Sequence, residues 1–341
     1  VAHTLLGGLD YTYFDGQYRY GGTTAPDLNL VTRNYGRQPI PGPTSHNVFN
    51  VDTHQQQTGL YLQDQAEYER FVLTVGGRYD WLDTDTLNNA TPSSTTRQED
   101  RNFSGRVGLS YLFDNGLTPY ANYSTSFAPT TSGVDLDGNP FDPTEGEQVE
   151  VGLKYAPADL PLSVDAALFQ IQQNNLLVTD ARNVNFQTQL GEVESRGFEL
   201  QANASLADGL SLVAAYTYTD ITFTAGANDG NQVAGIPRHQ LSLWGLYEVL
   251  SGPAQGLGIG LGSRFLGTNF ADDANTQEND SRILIDASLS YDFGAATPNL
   301  EGVSAQFNAK NLFDKRDSLC NNGFCYREEG RSLIGTLKYR F

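Results

Sequence analysis

Methionine is absent from the 341 residues, tryptophan and cysteine occur twice each, and 21 basic residues stand against 40 acidic ones, for a formal net charge of −19. A chain so short of cations lacks the surface that neutralises phosphates and releases counterions, which excludes nucleic acid as a partner. Long apolar runs are missing as well. Nothing approaches the roughly 18 to 20 residues of a membrane-spanning helix, so any crossing has to be made by strands of about 9 to 11 residues. The opening VAHTLLGGLDYTY has neither an initiating Met nor a basic, apolar, small-residue leader, and it starts inside a strand pattern, as expected for the remainder of a longer precursor. No Ser-His-Asp, HExxH or paired-carboxylate constellation is present, so the chain is expected not to be an enzyme.

What is abundant points to strands. Glycine reaches 35, with 18 Tyr and 18 Phe, a composition that favours pleated, half-buried surfaces and predicts almost no helix. Apolar and polar residues alternate with period two, which places successive side chains on opposite faces of a strand. Over 282–293, Ile283, Ile285, Ala287, Leu289, Tyr291 and Phe293 oppose Asp286, Ser288, Ser290 and Asp292; over 71–83, Phe71, Leu73, Val75, Tyr79 and Trp81 oppose Thr74, Arg78, Asp80 and Asp83. The C-terminal SLIGTLKYRF repeats the pattern, with Leu333, Leu337, Tyr339 and Phe341 on one face and Ser332, Thr336, Lys338 and Arg340 on the other.

Counting such segments gives about fourteen strands. Their connections alternate between very short (69–70, 114–116, 157–160, 207–209, 294–299) and long (15–53, 85–100, 128–145, 174–191, 224–237, 269–280, 312–329). That alternation predicts an all-β, transmembrane, antiparallel up-and-down β-barrel, with short turns at one rim, long loops at the other and aromatic girdles at both interfaces. No internal domain boundary interrupts residues 1–341.

Four features bear on chemistry. Cys320 and Cys325 flank a turn-forming NNG, and the four histidines are scattered, so a local disulfide is favoured over a metal site or free thiols. Gly256, Gly258, Gly260 and Gly262 spell GxGxGxG, but they alternate with Leu257, Ile259 and Leu261 and precede no helix; a lumen-facing stripe leaving room for whatever fills the barrel is expected rather than a nucleotide loop. DLDGNPFD at 135–142 and the acidic run Asp272, Asp273, Glu278 and Asp280 read as turn and solvated loop ahead of calcium binding or cation bridging to lipopolysaccharide.

The stretches YLQDQAEY (61–68), GGRYDW (76–81), GEQVEVGLKY (146–155), ESRGFELQ (194–201), IPRHQLSLW (236–244) and NLFDKRD (311–317) occur in an order that resembles TonB-dependent outer-membrane siderophore receptors, the ferrichrome or ferric-hydroxamate type above all. The likeness runs over nearly the whole chain, including the close cysteine pair and the terminal Phe341. It implies that these strands are the C-terminal portion of a plugged barrel of about 22 strands, with the plug and TonB-binding segment upstream. It implies a bacterial outer-membrane location, a ferric siderophore as ligand and no cofactor. Tyr18 or Tyr20 in the first long loop, and Phe324 or Tyr326 beside the disulfide, become the candidate ligand contacts. Asn311, Leu312, Phe313, Asp314 and Phe341 form the family's C-terminal motif, read as a strand-end and turn device. The implied partners are TonB, outer-membrane lipid and lipopolysaccharide, with phage or colicin as further visitors. Two rivals stand beside active uptake: a complete passive pore of about fourteen strands, and a surface-binding or phage-docking barrel.

Overall fold

The computed structural model describes residues 1–21, 48–89, 93–130, 133–179, 187–321 and 323–341. Fourteen antiparallel strands form one sheet in which each pairs with the next along the chain. They are β1 (Ala2–Gly21), β2 (Val48–Tyr68), β3 (Phe71–Asn88), β4 (Ser94–Tyr111), β5 (Leu117–Ala128), β6 (Thr144–Tyr155), β7 (Leu162–Thr179), β8 (Gln187–Ala207), β9 (Leu210–Phe223), β10 (His239–Glu248), β11 (Leu257–Leu266), β14 (Arg282–Asp292), β15 (Val303–Lys310) and β18 (Ser332–Tyr339). Two small hairpins rise from the long loops: β12 (Asn269–Phe270) with β13 (Glu278–Asn279), and β16 (Ser318–Asn321) with β17 (Phe324–Arg327). The sole α-helix among the described residues, α1, is the four-residue turn Phe293–Ala296.

Register sorts the side chains as the alternation requires. Across β1 to β4, Leu9 faces Leu60, Leu60 faces Tyr79 and Tyr79 faces Phe103 on the outer surface, where these apolar groups stay exposed. The opposite surface is polar. There Arg78 donates to Asp10 at 2.6 and 3.0 Å and to Asp80 at 2.6 and 2.7 Å, while Gln57 donates to Asp80 at 2.8 Å. Hydrocarbon accepts the first surface and water or a polar filling the second, so the apolar side faces lipid and the polar side the lumen.

The aromatic girdles are visible as ring contacts. Near the short turns Phe71 packs on Tyr111 at 4.7 Å, Tyr111 on Phe113 at 4.6 Å, Tyr291 on Phe293 at 5.0 Å and Tyr339 on Phe341 at 6.1 Å. Toward the long loops Tyr79 packs on Trp81 at 4.7 Å. Phe71 to Trp81 is about the 9 to 11 residues a tilted strand needs to cross the hydrocarbon.

Several loop boundaries move. Strands β1 to β4, β7 and β8 run well past the girdle, so residues 15–21, 48–53, 85–88, 94–100, 174–179 and 187–191 of the expected loops are strand. Above the lipid the outer face also becomes polar: Gln17 donates to Asp52 at 2.6 Å, and Arg97 to Asp85 at 2.7 Å. Pairing there is stabilised by backbone bonds and ion pairs, without the apolar face used to locate strands. Tyr79 and Trp81 accordingly sit within β3 and not at its end. Asp83, grouped with the polar set, shares the parity of Trp81 and lies on the outer face opposite Gln56 and Glu99.

The glycine stripe is also occupied. Gly258, Gly260 and Gly262 are buried on the lumen face, but the space beside Gly260 and Gly262 is filled by the Trp244 indole of β10. Gly256 is not in the stripe: its φ of +88° makes it a turn residue, and a Cβ there would meet the Asp292 carbonyl. The same arrangement recurs, with a lumen aromatic laid over the glycine directly across from it: Tyr61 on Gly8, Tyr120 on Gly152 and Phe169 on Gly197. Strands β1 and β18 stand at the two ends of the sheet order and do not pair with each other.

Candidate functional site

At the long-loop end the lumen face carries a cavity of about 480 Å³. Its wall comes from lumen-facing positions of β1 to β4, namely Tyr18, Val51, Thr53, Thr84, Thr86, Asn88, Ser94, Thr96 and Gln98, completed by Gly133, Val134 and Gln187. Gly133 and Val134 close the cavity from the connection that follows β5, where Phe141 is buried with its carbonyl accepting from Gln98 Nε2 at 2.6 Å. Gln189 of β8 clamps the same connection, accepting from the Asp142 N–H at 2.7 Å and donating to the Asp142 carbonyl at 2.6 Å. Asn175, with φ of +60° where β7 shifts register, donates to the Pro143 carbonyl at 3.0 Å. Within DLDGNPFD, Asp135 accepts from the N–H groups of Asp137 and Asn139 and from the Asn139 side chain, which holds its carboxyl below the ordinary value. That carboxylate closes its own turn.

A second assembly is built from the last three long loops. Cys320 and Cys325 form a disulfide directly across the β16–β17 hairpin. Buried Asn279 grips it, donating to the Cys320 carbonyl and accepting from the Cys320 N–H, each at 2.9 Å, while also donating to Asn269 at 2.9 Å. Asn275 ties the hairpin loop of β12 and β13 to the 224–238 loop, donating to the Gln232 carbonyl and accepting from the Gln232 N–H, both at 2.8 Å. Arg282 and Glu328, both largely buried, pair at 2.8 Å beneath the hairpin.

NLFD sits at the base of this assembly as a turn device. Asn311, buried at φ of +51°, donates to the carbonyls of Lys315 (2.7 Å) and Glu329 (3.2 Å) and accepts from the Lys315 N–H at 2.9 Å. The Leu312 N–H donates to the Ile285 carbonyl at 2.7 Å, and Phe313 is exposed. Asp314 accepts from the Arg331 N–H at 2.7 Å and from Arg316 at 3.0 Å, which holds its carboxyl below the usual range.

The four candidate ligand aromatics are therefore placed in two groups. Tyr18 and Tyr20 are not in a loop: they lie on β1, opposite Val51 and Phe49, and Tyr18 lines the cavity. Phe324 and Tyr326 are stacked at 6.5 Å on the outward side of the disulfide hairpin, 66% and 64% exposed, and neither lines that cavity. Asn279, Thr84, Phe141 and Gln189 were not singled out from the sequence. Thr84 continues the even-numbered lumen set of β3 and was legible by parity; the other three act across long sequence separations that carry no local signal.

A lipid-facing aromatic band, a polar lumen and structured outer loops define an outer-membrane β-barrel of the receptor kind. The chain belongs to the TonB dependent receptor-like β-barrel family, which matches residues 1–312. Over its full length it is 36% identical to the ferrichrome outer membrane transporter and phage receptor of Escherichia coli K12, and 36% identical to the ferrioxamine B receptor of Salmonella typhimurium, covering 46% and 48% of those proteins. The crystal structure of the ferric-catecholate import receptor from E. coli K12 superposes with a TM-score of 0.79 at 20% identity, covering 99% of this chain and 52% of that one. The chain thus spans about half the length of the curated relatives it matches. Those relatives are named as transporters and receptors and not as enzymes.

Proposed function

We propose that this chain is the C-terminal portion of the barrel of an outer-membrane receptor that takes up a ferric hydroxamate siderophore. Binding occurs at the long-loop end, and the TonB complex acts through a plug encoded upstream to release the ligand inward. The observation that carries this reading is the alignment of the whole chain, at equal identity, with one relative named for ferrichrome and another named for ferrioxamine B. A ferric siderophore brings its own oxygen ligands, so the receptor supplies aromatic and polar contacts in place of metal ligands; Tyr18, Tyr20, Phe324 and Tyr326 are proposed for that part. The passive pore of fourteen strands loses support, because a closed bore requires β1 to pair with β18.

The test is a fluorescence titration of the full-length parent protein with ferrichrome, ferrioxamine B, a ferric catecholate and the iron-free forms. Saturable quenching by a ferric hydroxamate at sub-micromolar concentration is expected, with Tyr18→Ala and Phe324→Ala each weakening it. Binding of none of the panel would send the assignment to another cargo.

A further inference from the structure

We propose that His3 and Asp64 form a site on the lipid side of the sheet for a primary ammonium, filled by the headgroup of an aminophospholipid in the leaflet at the short turns. The proposal goes beyond the uptake reading and does not depend on it. Register places the pair. Leu9 and Leu60 lie on the outer surface, and counting by twos along each strand puts His3, Leu5 and Gly7 of β1, with Leu62 and Asp64 of β2, on that same surface. Asp64 stands directly across from Leu5 on one side and Val75 on the other. In the half of the sheet nearer the short turns, every other described strand position on this surface holds an apolar residue, a glycine or a tyrosine. An ionisable side chain turned toward lipid is costly, and where it is kept it marks a function.

The geometry of the pair specifies the ligand. His3 Nδ1 lies 2.9 Å from Asp64 Oδ2, and the two side chains are 53% and 35% exposed. Asp64 Oδ1 is buried with no hydrogen-bond partner, so Oδ2 and the imidazole are what the pair presents outward. An imidazole that gives its Nδ1–H to the carboxylate keeps a lone pair on Nε2. The pair then offers two acceptors and one negative charge, the complement of a cation with several N–H groups to donate. Depth selects the source of that cation. Tyr68 and Phe71 face each other at the short turn as part of the girdle, Ala66 and Asp64 occupy the next outer positions along β2, and His3 lies across from Ala66. The pair is thus one and two positions inside the aromatic ring, where headgroups meet acyl chains. Leu5, Leu62 and Val75, exposed around it, leave apolar surface for the chains.

The experiment uses the full-length parent protein, equilibrated with phosphatidylethanolamine, phosphatidylcholine or phosphatidylglycerol of matched chains and read by native mass spectrometry, with heat-modifiable gel migration to confirm that each variant barrel is folded. Wild type is expected to retain the ethanolamine lipid at least about tenfold better than the glycerol lipid. It is also expected to prefer ethanolamine to choline, whose quaternary nitrogen has no N–H to donate. Asp64→Asn keeps the shape and removes the charge, and is expected to abolish the preference; His3→Leu is expected to reduce it about threefold to tenfold. Equal retention of the three lipids by wild type overturns the proposal, as does an unchanged preference in Asp64→Asn. Carbodiimide treatment of intact membranes is expected to couple Asp64 to the lipid amine. Coupling instead to a lysine, whether of the parent chain or of a neighbouring protein, would give the pair a different occupant and overturn the lipid assignment.

Discussion

One buried amide decides the geometry of the last loop. Asn279 makes three hydrogen bonds that no neighbour in sequence replaces, two of them to the backbone of Cys320. Its replacement in Asn279→Ala leaves the Cys320 N–H and carbonyl unpaired, at a local cost of about 1–3 kcal/mol. Amide hydrogen exchange at Cys320 should speed up by roughly tenfold or more, with the disulfide intact; unchanged exchange would show that the disulfide alone holds the hairpin. Gly262 is decisive in the opposite sense, since the Trp244 indole occupies the space a side chain would need. Gly262→Val is expected to overpack the lumen wall by about 1–3 kcal/mol. A lowered melting temperature and an altered emission from Trp244, read against a Trp81→Phe background, would register it.

At the level of elements, the structured loops have a pH signature. Asp314 is held low chiefly by the Arg331 N–H, which ties the two ends of the last long loop, while Asp272 is held low by the Thr276 N–H and Asp135 by the Asn139 side chain, each closing its own turn. A carboxyl lowered by folding stabilises the fold above its unfolded value and loses that contribution as pH falls through the lower folded value. The loops are therefore expected to be insensitive between neutrality and about pH 5 and to loosen below about pH 4. Hydrogen exchange at Arg331 and Thr276 across that range measures it, and loosening above pH 5 would contradict it. Period-two alternation read out every one of the fourteen strands, because one face must meet lipid. It stopped short where the strands leave the lipid: from Asp83 to Asn88 both faces of β3 are largely polar or charged, so the pattern fades while the ladder continues. For the same reason Tyr18 and Tyr20 read as loop residues. The turn at NLFD was expected from the family motif it resembles, whereas Asn279 and Gln189, which lock loops distant in sequence, carried no such signal.

For the whole molecule, the two unpaired edges dominate. A barrel strand with open N–H and C=O groups cannot face hydrocarbon, so β1 and β18 need partners that this sheet does not provide. Refolded in detergent by itself, residues 1–341 is expected to form polydisperse oligomers. Refolded together with the barrel strands that the proposed uptake reading places upstream, it is expected to give one heat-modifiable species; a monodisperse monomer from the chain alone would overturn that. The laid-over rings of Tyr61, Tyr120, Phe169 and Trp244 have a consequence for anything that travels through such a bore. Aromatic groups that would otherwise stand out as ledges are recessed against the glycine opposite, which leaves the wall low in relief. A body drawn along that wall meets polar groups that can exchange hydrogen bonds as it advances and few protruding rings to catch on, so the inner surface works as a bearing as much as a container.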